Sequence, residues 1–183
     1  HFNLNGLHMH IGSQIIDGAP YILAVKKMIG FIRKLKKEAI NIQYLNIGGG
    51  LGIIYGKEKP QTAEEFAGKM LPLLKSAGLK IILEPGRFIA GPSGILVTRI
   101  LYIKKTPLKN FIIMDAGMND LIRPSLYGAH HDILPLRKAE SGKQKAERFD
   151  VVGPICESGD FLAKDRELPK FNEGDYLAVM SAG

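Results

Sequence analysis

Leu79-Lys-Ile-Ile-Leu-Glu84-Pro-Gly-Arg87 takes an apolar strand directly into a carboxylate and a guanidinium, and packing alone requires neither. Something charged is held where that strand ends. Gln43-Tyr-Leu-Asn-Ile-Gly48-Gly-Gly-Leu-Gly52 repeats the design: a buried strand opens into a run of bare backbone suited to wrapping an oxyanion. One strand end has the chemistry to bind phosphate, and the other to tune whatever carries it.

Outward from these strands, Gly6–Ile11 reads as a short strand. Residues 20–39 carry apolar side chains at Ile22, Val25, Ile29, Ile32, Leu35 and Ala39, the spacing of an amphipathic helix. Thr62-Ala-Glu-Glu65 has the form of a capping box and predicts a helix to about Ala77, with Gly78 just beyond its end and Pro72 kinking or splitting it. The order β-α-β-α-β implies parallel strands with outer helices, an α/β layer or part of a barrel. From Gly94 onward the segments Ile95–Ile103, Phe111–Met114, Phe149–Gly153 and Asp175–Met180 are β-like and separated by turn-rich stretches. An antiparallel β domain is expected there, giving units 1–92 and 93–183, with a loop or short helix at 142–147 and at 159–165.

Composition narrows the function classes. The 183 residues are 45% hydrophobic and 23% charged, as in an ordinary globular protein with a real core. The net charge of +7 sits in Lys26-Lys27, Arg33–Lys37 and a loop-like 137–148, without interleaved aromatics, so solvated faces explain it better than nucleic acid. The single Cys excludes an internal disulfide framework and suits a reducing compartment, and cytoplasm is expected. No apolar run spans a bilayer and no signal-peptide pattern occurs. The chain starts without Met and stops at Leu177–Gly183 in or just after a strand, which reads as a piece of a longer protein.

The polar residues gather at strand ends, where parallel α/β folds place function. His8 and His10, spaced i,i+2, invite a metal reading, but no third ligand of the right style stands nearby. Stacking or hydrogen bonding by His10 beside Ser13 fits better, although either His alone is more often structural. The glycines of 48–50 match neither a Walker loop nor the dinucleotide spacing. Glu84 has an ion pair with Arg87 as its bland alternative. A Pro-Gly turn between them would instead let the two side chains face different targets. A carboxylate against a pyridine nitrogen would keep the ring protonated and electron-accepting. Cys156, ending a strand beside Glu157, is by base rate a buried small hydrophobe, yet its polar turn suits a proton-donating thiol. Arg123 and Tyr127 offer a clamp for a substrate carboxylate, with a surface loop as the alternative. His130-His131 reads as polar loop.

Taken in order, Gly6-Leu-His-Met-His-Ile-Gly-Ser-Gln14, Asn46–Ile53, Glu84-Pro-Gly-Arg87, Asp115-Ala-Gly-Met118, Arg123-Pro-Ser-Leu-Tyr-Gly-Ala129 and Cys156-Glu-Ser-Gly-Asp160 resemble the blocks of the fold-type III pyridoxal-phosphate decarboxylases, most closely those acting on meso-diaminopimelate. The resemblance runs nearly end to end. It implies the last three strands of an alanine-racemase-like (β/α)8 barrel followed by the β domain, and pyridoxal 5'-phosphate as cofactor. His10 would stack on its ring, Glu84 would face the ring nitrogen, and Ser13, Gly49, Gly50 and the backbone of Glu84, Pro85, Gly86 and Arg87 would hold the phosphate. Arg87, Arg123 and Tyr127 would bind substrate, Cys156 would donate a proton, and Glu157 would recognise the distal amino group. In this family the Cys-Glu segment reaches the neighbouring subunit's active site, which implies a homodimer. The implied reaction yields L-lysine and carbon dioxide, the last step of lysine biosynthesis.

The resemblance also leaves gaps. No lysine here stands in the strand-end setting of the family's Schiff-base lysine, and the early barrel strands and a Tyr-bearing segment after Gly183 are absent. The polypeptide alone is therefore expected to be inactive, with open strand edges. Release of carbon dioxide from cofactor and meso-diaminopimelate would contradict this. Rival readings are a decarboxylase of ornithine, arginine or a related diamino acid, and a non-catalytic phosphate- or cofactor-binding module. A racemase of this fold is disfavoured, because it would carry a cation in place of Glu84.

Overall fold

The computed structural model describes residues 2–136 and 146–183; the expected basic loop at 137–148 and the segment 142–147 therefore lie largely outside the described residues. The chain divides into two compact units, His1–Gly91 and Pro92–Gly183.

The first unit runs β1 (Gly6–His8), α1 (Ala19–Lys37), β2 (Tyr44–Asn46), α2 (Ala63–Ala77), β3 (Lys80–Ile82) and a short α3 (Gly86–Ala90). The strands form a parallel sheet in the order β1-β2-β3, with Leu7 opposite Leu45 and Leu45 opposite Ile81. The expected parallel order is present, in strands shorter than predicted. α1 begins with Pro20 in its first turn and ends in Lys34, Lys36 and Lys37, whose charges complement the carbonyl end of the helix. It buries Tyr21, Val25 and Ile29. α2 starts on the predicted capping box, with Thr62 accepting from Glu65 N and Glu65 accepting from Thr62 N, and it ends on Gly78 at φ 64°. Pro72 does not split it: one helix runs through the proline, carried by the buried face of Phe66, Met70 and Leu74. These side chains close one core with Leu45 and Ile47, both without solvent exposure. Truncating Leu45 to Ala is expected to cost about 2–5 kcal/mol.

The second unit contains β4 (Leu96–Lys105), β5 (Asn110–Met114), α4 (Arg123–Tyr127), β6 (Ile133–Pro135), β7 (Glu147–Val152), β8 (Phe161–Leu168) and β9 (Tyr176–Val179). Its six-stranded sheet has the order β6-β9-β4-β5-β7-β8. The expectation of an antiparallel domain needs correction, because β5 and β7 pair in parallel, with Ile112 opposite Val151. A parallel pair needs a long crossover, and the stretch holding α4 and β6 supplies it. The segment 159–165 is neither loop nor helix over most of its length: β8 begins at Phe161, and Leu162 and Ala163 are buried against the core. Ile100, Ile112, Met114, Val151, Leu162 and Leu177 form the centre of this core, each at most 1% exposed.

Candidate active site

In the first unit, parallel register aligns the strand ends, since His8 stands opposite Asn46 and Asn46 opposite Ile82. Residues just past these ends converge. Glu84, half exposed, accepts a hydrogen bond at Oε1 from Asn46 Nδ2 at 2.6 Å, and His8 Nε2 lies 3.6 Å from the same oxygen. Asn46 Oδ1 accepts from Gly48 N at 2.8 Å, so one amide braces both the carboxylate and the start of the glycine run. Arg87 turns elsewhere. Its Nη1 donates to Gln14 Oε1 at 3.3 Å, and its guanidinium lies 5.7 Å from the centre of the Tyr55 ring. Between Glu84 and Arg87, Pro85 and Gly86 open α3 rather than form an isolated turn, and this short helix sends the two side chains to separate partners. A cleft of about 410 Å³ lined by Glu84, Pro85, Gly86, Ile89 and Ala90 opens beside it.

Gly49 is packed so closely that a Cβ would fall 1.9 Å from the Glu84 carbonyl oxygen. Gly50, at φ 100°, would place one 2.1 Å from Gly12 O. The glycines therefore serve first to let strand ends touch. His10, exposed, accepts from Gly49 N at Nδ1 over 3.3 Å, which leaves the proton of the neutral ring on Nε2. Buried Tyr21 donates its hydroxyl to Gly49 O at 2.7 Å, and burial raises its pKa, keeping the phenol a neutral donor. Ser13 is exposed on the loop after β1.

In the second unit, α4 carries Arg123 and Tyr127 one turn apart, on the same side of the helix. Ser125, between them, donates to Gly159 O and is 3.3 Å from Phe161 O, which ties α4 to the end of the Cys156–Asp160 turn. Cys156 does not end a strand: β7 stops at Val152, and the thiol lies exposed in the following turn. Asp160, 3% exposed, organises that turn. Its carboxylate accepts from Met118 N at 2.6 Å and Ile155 N at 2.7 Å. Glu157 is exposed, and the Gly159 amide and then the Ser158 hydroxyl lower its pKa, so it stays ionised. His131 is not a polar loop residue. It has no solvent exposure, and its ring meets Arg123 Nη1 at 2.9 Å and Met180 O at 2.8 Å.

The first unit thus brings His10, Gly49, Gly50 and Glu84 together; in the second, Arg123 and Tyr127 share α4, which Ser125 ties to the end of the turn bearing Cys156 and Glu157. Asn46, Tyr21, Asp160 and His131 escaped the reading of residue types. Only Asn46 had a plain signal, a polar side chain between Leu45 and Ile47 in an otherwise buried strand. Among the described residues no group of three or more His, Cys, Asp and Glu is placed to hold a metal, and no helix is long and apolar enough to cross a membrane.

The chain is similar to known proteins over nearly its whole length. The chain is 51% identical over 179 residues to a diaminopimelate decarboxylase of Aquifex aeolicus, which covers 97% of this chain and 42% of that protein. It is 47% identical over 182 residues to the diaminopimelate decarboxylase of Vibrio cholerae, covering 99% of this chain and 43% of that one. Among solved structures, diaminopimelate decarboxylase from Helicobacter pylori complexed with L-lysine superposes with a TM-score of 0.89 at 41% identity, over 98% of this chain and 44% of that one. The chain therefore spans less than half the length of the relatives it matches. The family model of the pyridoxal-dependent decarboxylase C-terminal sheet domain matches residues 15–183. With six strands of that sheet and the glutamate, glycine and cysteine blocks in order, the chain belongs to the pyridoxal-dependent decarboxylases.

Proposed function

We propose that the protein to which this chain contributes decarboxylates meso-2,6-diaminopimelate to L-lysine, with pyridoxal 5'-phosphate as cofactor. The relatives named above act as the chemical precedent, and the L-lysine held by the Helicobacter pylori enzyme is the product this reaction would release. The observation that carries the reading is Glu84, a half-exposed carboxylate at a strand end with one oxygen braced by Asn46. Its second oxygen keeps acceptor capacity for a ring N–H.

The residues present fit the cofactor: a carboxylate, an imidazole and closely packed glycine backbone stand at adjoining strand ends. When bound, the cofactor supplies a protonated pyridinium that accepts the electron pair freed as carbon dioxide leaves the substrate. Glu84 holds the proton on that ring nitrogen. His10 presents its imidazole to the ring, while Ser13, Gly49, Gly50 and the backbone of Pro85–Arg87 bind the phosphate. Arg87, Arg123 and Tyr127 bind substrate, with a guanidinium fork suited to a carboxylate. Cys156 delivers a proton to the α-carbon, and the ionised Glu157 accepts from the distal ammonium. The three parallel strands are assigned to the last part of an alanine-racemase-like barrel, and the enzyme to a homodimer with shared active sites.

The decisive experiment offers the complete enzyme meso-diaminopimelate, ornithine and arginine in turn and measures amine product and carbon dioxide. L-lysine is the expected product. Turnover of ornithine or arginine with none of diaminopimelate would replace this reading with the nearest rival, and no turnover of any would favour a binding module.

A further inference from the structure

We infer that His131 is a positioning residue for Arg123, a neutral imidazole whose hydrogen bonds set the direction in which the guanidinium presents itself to the substrate carboxylate. This rests on the reading of Arg123 as part of the substrate clamp. The geometry leaves one tautomer. Nδ1 faces the Met180 carbonyl at 2.8 Å, and a carbonyl only accepts, so the ring proton is on Nδ1. Nε2 faces Arg123 Nη1 at 2.9 Å, and a guanidinium only donates, so Nε2 presents its lone pair. One proton satisfies both contacts. A second would set an N–H of a cationic ring against an N–H of a cationic side chain.

The fold keeps the ring in place. Ile133 of β6 pairs with Val179 of β9, and Met180 N donates to Asp132 O at 2.8 Å, which lays His131 beside Met180. Arg123 arrives from the first residue of α4, so the imidazole ties that helix to the β6–β9 side of the sheet. With no solvent at the ring, no water replaces either contact.

The surroundings favour the neutral form. Burial is the main cause lowering the His131 pKa; the Met180 carbonyl acts in the opposite direction, and the charges of Arg123, His130 and Arg166 lower it further. Arg166, from β8, donates to His131 O and meets the His130 ring, both at 3.0 Å. The one acid on the same segment, Asp132, is engaged with His130 at 2.9 Å and lies 3.9 Å from Arg166. Among the described residues, the charged groups around the ring are therefore mostly cationic. Arg123 keeps its direction while the ring is neutral and loses it as acid adds the second proton.

The test uses the complete enzyme, with His131→Gln, His131→Phe and Arg123→Ala variants, and follows kcat and KM for meso-diaminopimelate across acidic and neutral pH. His131→Phe removes both contacts and should raise KM about tenfold, the size of one charge-assisted hydrogen bond, with kcat little changed. His131→Gln can donate and accept at once, should restore most of the affinity, and should lack the rise in KM that the parent shows as pH falls. NMR of the enzyme with nitrogen-labelled histidines should find the proton on Nδ1 at neutral pH, a readout that needs no variant to fold. A proton on Nε2, a charged ring at neutral pH, or a parent-like acid limb in His131→Gln would overturn the inference. If Arg123→Ala leaves KM unchanged, the clamp reading itself fails. If Arg123→Ala raises KM and a folded His131→Phe does not, only the role of His131 fails.

Discussion

Glu84 and Arg123 are the two charged groups on which the proposed chemistry turns, and their supports work under opposite conditions. Asn46 meets Glu84 at a half-exposed strand end, and an amide offers its donor to Glu84 and its acceptor to Gly48 at any pH. The buried ring of His131 meets a partly exposed Arg123 and serves in one protonation state only. The first unit holds its charge by backbone contact and a non-titrating amide, with the exposed His8 ring 3.6 Å away, whereas the second entrusts it to a buried ring. pH should therefore act on substrate affinity through the second unit far more than on the carboxylate support of the first.

The sharpest break in that contrast is at Glu84 itself. Glu84→Gln keeps the size of the side chain but removes the charge proposed to face the ring nitrogen, so kcat should fall about 100- to 1000-fold. Cofactor absorbance would show that binding persists, and undiminished turnover would remove Glu84 from the mechanism. Next comes Gly49→Ala, whose Cβ would sit 1.9 Å from Glu84 O. A loss of about 3 kcal/mol or more is expected in thermal or denaturant unfolding, and an unchanged midpoint would mean that the strand ends are not held by backbone contact.

Asn46 offers a finer test. Asn46→Ala should lower kcat about tenfold, as the carboxylate loses one strong hydrogen bond. Asn46→Asp keeps the acceptor for Gly48 but sets a second carboxylate beside Glu84, so its rate should recover in part as pH falls. Identical pH profiles for Asn46→Asp and the parent would refute the brace.

The smallest effect expected is at the ion pair of Lys109 and Asp150, with Nζ 2.7 Å from Oδ2. Burial pushes the Asp150 pKa up, but the Lys109 hydrogen bond and the Asp165 amide outweigh it and leave the pKa lowered. A lowered carboxylate pKa adds stability above the ordinary carboxylate range and loses it as pH falls through the folded value. Lys109→Met should lower stability only slightly at neutral pH, because the lysine is more than half exposed, and less in acid. An equal loss at both pH values would show a packing effect instead.

Local signals carried much of the first unit. Thr62 and Glu65 announced the start of α2 and Gly78 its end, because capping depends on neighbours a few residues away. Glu84, Gly49 and His10 stood out because charge and bare backbone are conspicuous beside apolar strands. Long-range pairing was less legible. Neither β8 nor the parallel partnership of β5 and β7 has a local signature, since both depend on which distant strand lies alongside. His131 was misread for the same reason: two adjacent histidines look like surface until β9 brings Met180 over one of them. Tyr21 was hidden by a one-residue offset, as the predicted apolar face of α1 began at Ile22 while the phenol beside it reached Gly49.

The parallel pairing of β5 with β7 also orders events in time. The β4–β5 hairpin closes through a local turn, with Thr106 N donating to Lys109 O and Lys109 N to Thr106 Oγ1, both at 2.9 Å, and such turns form in about 1–10 μs. β7 joins β5 only after the chain has travelled through α4 and β6, so that contact bears the larger loop-closure entropy. Loosening the turn with Thr106→Gly should slow folding, whereas Val151→Ala should mainly hasten unfolding, and equal effects on both rates would show that the two pairings form together. By the same measure β9 closes a longer loop still when Leu96 pairs with Val179, so the β4–β5 hairpin comes before the β5–β7 contact and the β4–β9 contact after it.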